Sequence, residues 1–185
     1  MPGLAEAPVF PISGTLGSGK TSVAGASMQH FPRGLHLPVD DFREFVVSGQ
    51  ASVFSWSEET DRQFALARTA AVGTATNYLD AGFAVVLDDV AFPAETEQVY
   101  ATPLPDIRKV LLLPSLETIL KRNAERTHKP FDTATLTGVI KTLHGRFTEQ
   151  AQDFRAAGWR VISSSKLTLA ETVARIVDGA DQSSR

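Results

Sequence analysis

Apolar residues along this chain form short continuous runs that alternate with longer stretches of helical spacing. A short continuous run is typical of a strand in a parallel sheet, because such a strand is buried on both faces. The predicted strands are 8–13, 35–39, 83–87, 108–113 and 159–162. Strands that alternate with helices predict one α/β domain, residues 1–185, with a parallel sheet, right-handed crossovers and helices on both faces.

The longest predicted helix begins at Ser57, where a serine followed by acidic residues favours a helix N-terminus. Apolar residues recur along this helix at helical spacing and predict its buried face. They are Phe64, Ala67, Ala71, Ala75 and Tyr78. Further helices are predicted at 21–29, 93–100, 115–126, 136–157 and 168–177, and residues 42–47 predict the start of another.

The residues after the first predicted strand, 14–21, read GTLGSGKT. This sequence matches G-x-x-x-x-G-K-[ST] and lies between a strand and a helix, which is the context of a phosphate-binding P-loop. We predict that the loop binds the phosphates of a nucleotide through Gly14, Thr15, Gly17, Ser18, Gly19 and Lys20. Lys20 is predicted to reach the β- and γ-phosphates during transfer, and the Thr21 hydroxyl is predicted to hold Mg²⁺.

Pairs of aspartates, Asp40-Asp41 and Asp88-Asp89, follow the second and third predicted strands. Ligands bind beyond the carboxyl ends of strands in such folds, and adjacent residues on a strand point to opposite faces. One aspartate beside the γ-phosphate can accept the proton of an acceptor hydroxyl, and another can hold Mg²⁺. We predict Asp40 as general base, Asp88 as metal ligand and Asp89 as an acceptor contact. Helix capping is the alternative for both pairs.

Segment 40–64 is predicted to shape the acceptor pocket, with Arg43 and Trp56 as contacts. Aromatic residues suit a ring-bearing or apolar acceptor. Arg43 has two interpretations, since it can bind an anionic acceptor or pair with Glu44 or Glu58.

Cations cluster at the end of the helix predicted at 115–126 and in the break after it. A solvated helix C-terminus is one interpretation. We favour a lid over about 123–134 that closes on the nucleotide, with Arg122 contacting the nucleotide and Arg126 neutralising charge during transfer.

Composition narrows the classes of function. The net charge of −3 provides no global attraction to nucleic acid or to an acidic membrane. The absence of cysteine excludes disulfides and thiolate metal sites. The lone histidines His30, His36 and His144 lack ligand spacing and are interpreted as structural or surface residues. No apolar run is long enough to span a bilayer and the N-terminus lacks the pattern of a signal peptide, so we expect a cytoplasmic protein.

Four pieces of the sequence together resemble the chloramphenicol phosphotransferase-like P-loop kinases over about residues 9–177. They are the P-loop, Val39-Asp40, Leu87-Asp88-Asp89-Val90 and Arg122-x-x-x-Arg126-x-x-Lys129. The resemblance implies a five-stranded parallel sheet in the order 2-3-1-4-5, ATP and Mg²⁺ as ligands, and an aspartate at Asp40 that deprotonates the acceptor hydroxyl. Lys129 stands where the lid of that family has an arginine.

The segment Asp40-Asp41-Phe42-Arg43 also resembles the Asp-Asp-Tyr-Arg segment of polynucleotide 5′-kinases, in which the first aspartate is the base and the arginine contacts the acceptor side. Zeta-toxin kinases share the same layout, but the three families differ in acceptor. We therefore predict an ATP-dependent phosphotransferase acting on a hydroxyl of a small molecule. The alternatives are a nucleotide or polynucleotide 5′-kinase and an ATP-binding module without kinase activity.

Overall fold

A computed structural model describes residues 7–101, 104, 106–125 and 133–178 of the chain. Its five parallel strands form one sheet in the order β2-β3-β1-β4-β5. The strands are β1 (Val9–Ser13), β2 (Gly34–Pro38), β3 (Ala84–Asp88), β4 (Val110–Leu112) and β5 (Arg160–Ile162). The fold class predicted from the apolar runs is confirmed, and so is the strand order implied by the resemblance.

Helices cover both faces of this sheet. They are α1 (Lys20–Met28), α2 (Val39–Glu44), α3 (Glu58–Asp80), α4 (Pro93–Thr96), α5 (Leu116–Glu125), α6 (Thr133–Glu149), α7 (Ala151–Ala156) and α8 (Leu169–Val177), with a π-helical turn at Glu97–Ala101 after α4. Phe10 of β1 packs with α1 and α8, whereas the adjacent Val9 packs with α3. Alternate residues of one strand therefore face different helical layers, as the period of a strand requires.

Two predicted helices differ from the observed ones. α2 begins at Val39, directly after β2, so Asp40 lies in the first turn of a helix rather than after the end of a strand. Pro38 explains the early start, because it lacks the N–H that would extend the ladder and its φ of −68° suits the N-cap position. The predicted helix 136–157 is divided into α6 and α7 at Gln150.

The start of α3 is confirmed in detail. Ser57 accepts a hydrogen bond from the Thr60 N–H, and the Thr60 hydroxyl accepts one from the Ser57 N–H, which completes a capping box. The predicted buried face of α3 is wrong at its end, because Tyr78 is 40% exposed and packs edge-on against Phe83. Among the described residues, no helix is long and apolar enough to cross a membrane.

Candidate active site

The loop between β1 and α1 depends on its glycines. Gly14, Gly17 and Gly19 have φ values of 149°, 82° and 97°, which residues other than glycine rarely adopt. A Cβ at Gly14 would lie 2.5 Å from the Leu112 carbonyl oxygen, so the loop also packs too closely on β4 for a larger residue. α1 begins at Lys20, and its unpaired first N–H groups therefore lie at the loop, where they favour an anion.

Polar groups of this loop are available to a ligand. The hydroxyls of Thr15 and Ser18 are buried and have no hydrogen-bond partner among the described residues. A buried hydroxyl without a partner is costly, and a bound phosphate would satisfy it. Lys20 Nζ donates to the Thr15 carbonyl oxygen over 3.3 Å, and Arg122 Nη1 of α5 donates to the Ser18 carbonyl oxygen over 3.2 Å. The loop therefore fits the phosphates of a nucleotide, with two cations beside it.

Thr21 and Asp88 bring two oxygen donors together at the end of β3. The Thr21 hydroxyl donates to Asp88 Oδ2 over 2.7 Å, and His36 Nε2 lies 3.5 Å from the same oxygen. Burial alone would raise the pKa of Asp88, but His36, Lys20 and Thr21 outweigh it and hold the pKa below its ordinary value. Asp88 is therefore ionised near neutral pH, as a ligand of Mg²⁺ must be.

His36 is a neighbour of the site, although the sequence alone predicts only a structural or surface role for it. It lies on β2, and the register pairs it with Val86 of β3, two residues before Asp88. Residues two apart on a strand share a face, so His36 and Asp88 meet. The sequence alone does not reveal this contact, because it depends on the register between two strands that are far apart in sequence.

Asp40 lies in the first turn of α2, where its side chain still reaches solvent. The surrounding protein removes part of its water and raises its pKa above the ordinary value. The Asp89 and Asp88 carboxylates raise the pKa further, while Lys20 and Arg43 lower it. A carboxylate with a raised pKa is a stronger proton acceptor, which suits a general base.

Asp89 makes only internal contacts in the described part of the chain. Its Oδ2 accepts hydrogen bonds from Arg68 Nε over 2.8 Å and from the Tyr100 hydroxyl over 2.7 Å, and its Oδ1 accepts one from the Val90 N–H. Burial and the Asp89 carboxylate raise the pKa of Tyr100 well above its ordinary value, so this hydroxyl stays a neutral donor. The role of Asp89 as an acceptor contact stays a prediction.

Arg68 is a second residue that the sequence interpretation missed. It lies on the buried side of α3, one helical turn after Phe64, and forms a buried ion pair with Asp89. A charged residue on an apolar helix face was the available signal, because a buried arginine requires a partner.

Arg43 is buried, and its contacts tie α2 to the segment that follows. Its Nη2 donates to the Ala51 carbonyl oxygen over 2.9 Å, and its guanidinium carbon lies 4.1 Å from the centre of the Phe64 ring. In the described part of the chain it pairs with neither Glu44 nor Glu58, so that interpretation is wrong. Its predicted contact with the acceptor stays a prediction.

Trp56 is 60% exposed, yet its orientation is held by two contacts. The indole Nε1 donates to Asp61 Oδ1 over 2.8 Å, and the ring stacks on Phe64 with 5.3 Å between centroids. Other large apolar side chains exposed between α2 and α3 are Phe45, Val47, Val53 and Phe54. These five exposed side chains, here called the apolar set, lie in the segment predicted to bind the acceptor.

Only part of the predicted lid lies within the described residues. Arg122 is described and lies at the P-loop, whereas Arg126 and Lys129 lie outside the described residues. Within residues 7–101, 104, 106–125 and 133–178, no group of three or more His, Cys, Asp or Glu side chains is placed to hold a metal ion by itself.

Comparison of the sequence with protein families finds a match to the family described as chloramphenicol phosphotransferase-like protein, over residues 7–135. This match covers more than half of the chain, and it includes the P-loop, both aspartate pairs and α5. No curated protein matches the chain.

Solved structures with the same fold include several kinases. Shikimate kinase from Acinetobacter baumannii, in complex with shikimate, has a TM-score of 0.63 and 14% identity, covering 97% of this chain and 95% of its own. Thymidylate kinase from Candida albicans has a TM-score of 0.63 and 12% identity, with 97% and 93% covered. The tunicamycin resistance protein of Deinococcus radiodurans has a TM-score of 0.61 and 14% identity, with 94% and 95% covered. At these identities the likeness establishes the fold.

Proposed function

The chain belongs to the chloramphenicol phosphotransferase-like family, and we propose that it transfers the γ-phosphate of ATP to a hydroxyl group of a small-molecule acceptor. Family and fold together support a P-loop phosphotransferase. One observation carries the proposal further: Thr21 is hydrogen-bonded to Asp88 beside the P-loop, and the Lys20 charge lowers the pKa of both Asp88 and Asp40. Phosphoryl transfer needs a phosphate cradle, a metal site and a proton acceptor, and these residues supply all three.

The P-loop would hold the ATP phosphates with backbone N–H groups and Lys20, and Arg122 would add positive charge beside them. The Thr21 hydroxyl and the Asp88 carboxylate are the oxygen donors that Mg²⁺ prefers, and Mg²⁺ usually completes its shell with phosphate oxygens and water. Bound Mg²⁺ would neutralise charge on the phosphates. We assign Thr21 and Asp88 to the metal on this chemistry.

Asp40 would accept the proton of the acceptor hydroxyl as that oxygen bonds to the γ-phosphorus and the bond to the β–γ bridging oxygen breaks, which releases ADP. Its raised pKa supports this role. Lys20 lies close enough to lower that pKa, so the base and the phosphate-binding cation share one site. We propose Arg126 as the lid residue that neutralises charge during transfer.

The charge of the acceptor segment favours a small molecule over a polynucleotide. Residues 40–64 contain six carboxylates and two arginines, of which Arg43 is buried and Arg62 is paired with Glu59. A nucleic-acid backbone would meet a surface of its own sign, and its binding depends on cations that contact phosphates. One structural relative, a shikimate kinase, is in complex with shikimate, which likewise supports the proposal of a small-molecule acceptor.

The test measures label transfer from γ-labelled ATP with Mg²⁺ to a panel of chloramphenicol-like alcohols, aminoglycosides, sugars, nucleosides and 5′-hydroxyl oligonucleotides. We expect transfer to one small-molecule class, strongly reduced in Asp40→Asn and lost in Lys20→Ala. Transfer to oligonucleotides alone would establish the polynucleotide kinase instead. Tight ATP binding without transfer to any class would favour a binding module.

A further inference from the structure

The segment Gly49–Ala51, between α2 and α3, is held on two sides by side chains. The Ala51 N–H donates to Gln63 Oε1 over 2.9 Å, and Gln63 Nε2 donates to the Gly49 carbonyl oxygen over 2.8 Å. Arg43 Nη2 donates to the Ala51 carbonyl oxygen over 2.9 Å. The amide of Gln63 thus pairs with this segment as the backbone of a neighbouring strand would. We call Arg43 and Gln63 the clamp.

Both side chains of the clamp are buried, Gln63 at 7% and Arg43 at 5% exposure. A third contact determines which way the Gln63 amide points, because Nε2 also donates to Glu59 Oε1 over 2.7 Å and an ionised carboxylate can only accept. Hydrogen bonds from Arg62 and Gln63 lower the pKa of Glu59 to about 2. Glu59 therefore stays ionised at neutral pH, and Oε1 of Gln63 stays directed at the Ala51 N–H.

The clamp connects the predicted base to the apolar set. Arg43 lies in α2 one turn after Asp40, and Gln63 lies in the second turn of α3. The apolar set flanks the clamped segment on both sides. Exposed loops usually move, but here three hydrogen bonds from two buried side chains hold the backbone between the two helices. The clamp thereby holds the backbone segment that the apolar set flanks.

We propose that Gln63 is a positioning residue for the acceptor, which places the apolar set so that a bound hydroxyl meets Asp40. This inference rests on the proposed function. None of the described contacts of Gln63 involves residues 14–21, so its loss should affect the acceptor and leave ATP binding intact. A small misplacement of a reacting group is enough to slow catalysis strongly.

The key variant is Gln63→Met, which keeps the length of the side chain and removes both bonds to the clamped segment. Gln63→Glu can still accept from the Ala51 N–H but cannot donate to Gly49, and it sets a second carboxylate beside Glu59. Thr76→Val is the matched control, because it removes a side-chain hydrogen bond to Val72 further along the same helix.

Two measurements are made on each variant. Hydrogen–deuterium exchange of peptides covering residues 45–56 needs no acceptor, and we expect exchange at the Ala51 amide to rise about tenfold in Gln63→Met. Steady-state kinetics use the alcohol with the highest Asp40-dependent turnover in the panel. We expect kcat/KM for the acceptor to fall about tenfold, with the ATP KM and acceptor-free ATP hydrolysis unchanged. Gln63→Glu should show a change in the same direction, and Thr76→Val should show none.

Each outcome has a definite meaning. Unchanged exchange in Gln63→Met would overturn the clamp, and faster exchange with unchanged acceptor kinetics would overturn the positioning role. If exchange rises along the whole chain in Gln63→Met, the fold is damaged, and the same criteria then apply to Gln63→Glu. Absence of Asp40-dependent transfer in the unmodified protein counts against the proposed function instead, and the exchange result still decides whether the clamp exists.

Discussion

Thr21 Oγ1 donates a hydrogen bond to Asp88 Oδ2 over 2.7 Å, which joins the first turn of α1 to the end of β3. The two residues are separated by 67 positions in the sequence. Their contact places a hydroxyl and an ionised carboxylate, both suitable for Mg²⁺, directly beside the phosphate-binding loop.

Asp88→Asn should weaken the binding of ATP in the presence of Mg²⁺ by roughly 10–100-fold, because a neutral amide is a poorer ligand for a hard cation. Titration calorimetry with and without Mg²⁺ measures the effect. ATP affinity in the absence of Mg²⁺ should change little, which serves as the internal control. An equal loss under both conditions would show that Asp88 supports the loop rather than the metal.

Asp40→Asn should retain ATP binding and lower turnover by roughly 10²–10⁴-fold, since it removes the proposed general base. Turnover is measured at saturating ATP and acceptor, and ATP affinity is measured separately. Asp41→Asn is the matched control, because this neighbour is exposed and carries the same charge. If Asp40→Asn loses ATP affinity and little rate, Asp40 is a metal or capping residue.

Asp40→Asn should also increase stability at neutral pH. The folded pKa of Asp40 is raised, so its contribution to stability is present below its ordinary pKa and is lost as the pH rises through the raised value. Asparagine does not titrate, so at pH values above the raised pKa of Asp40 the variant should melt at a higher temperature than the unmodified protein. The difference in melting temperature should disappear in acid, where Asp40 is protonated in both the folded and the unfolded state. Thermal unfolding from pH 3 to pH 8 tests this, and a lower melting temperature of the variant at pH 7 would contradict it.

Tyr100→Phe should lower the free energy of unfolding by roughly 1–3 kcal/mol, because it removes a donor from the buried Asp89 carboxylate. Denaturant unfolding measures the difference. Tyr78→Phe is the control, since the Tyr78 side chain is partly exposed and its hydroxyl has no hydrogen-bond partner in the part of the chain that the structure describes. We expect that control to lie within about 0.5 kcal/mol of the unmodified protein. If the two variants are equally stable, the hydrogen bond from Tyr100 to Asp89 does not stabilise the folded protein.

Local features of this protein follow from the sequence by itself. The P-loop can be predicted from the sequence because its glycines are required by the backbone conformation of the loop itself. The strands can be predicted because a strand buried on both faces needs apolar residues at nearly every position. The Ser57 capping box is also local, since its hydrogen bonds join residues three apart. The strand order came from resemblance to a family rather than from the residues alone, and the structure confirms it.

Only the tertiary structure decided which side chains meet. His36 reaches Asp88 through the register of β2 on β3, and Asp89 is held by Arg68 and Tyr100 from two other elements. Gln63 pins Ala51 across a loop that no periodic pattern describes. Such contacts join residues far apart in sequence, and their geometry depends on how helices and strands pack. The spacing of apolar residues along one helix or strand does not indicate which residues of another element it will contact. These contacts are therefore seen only in the tertiary structure.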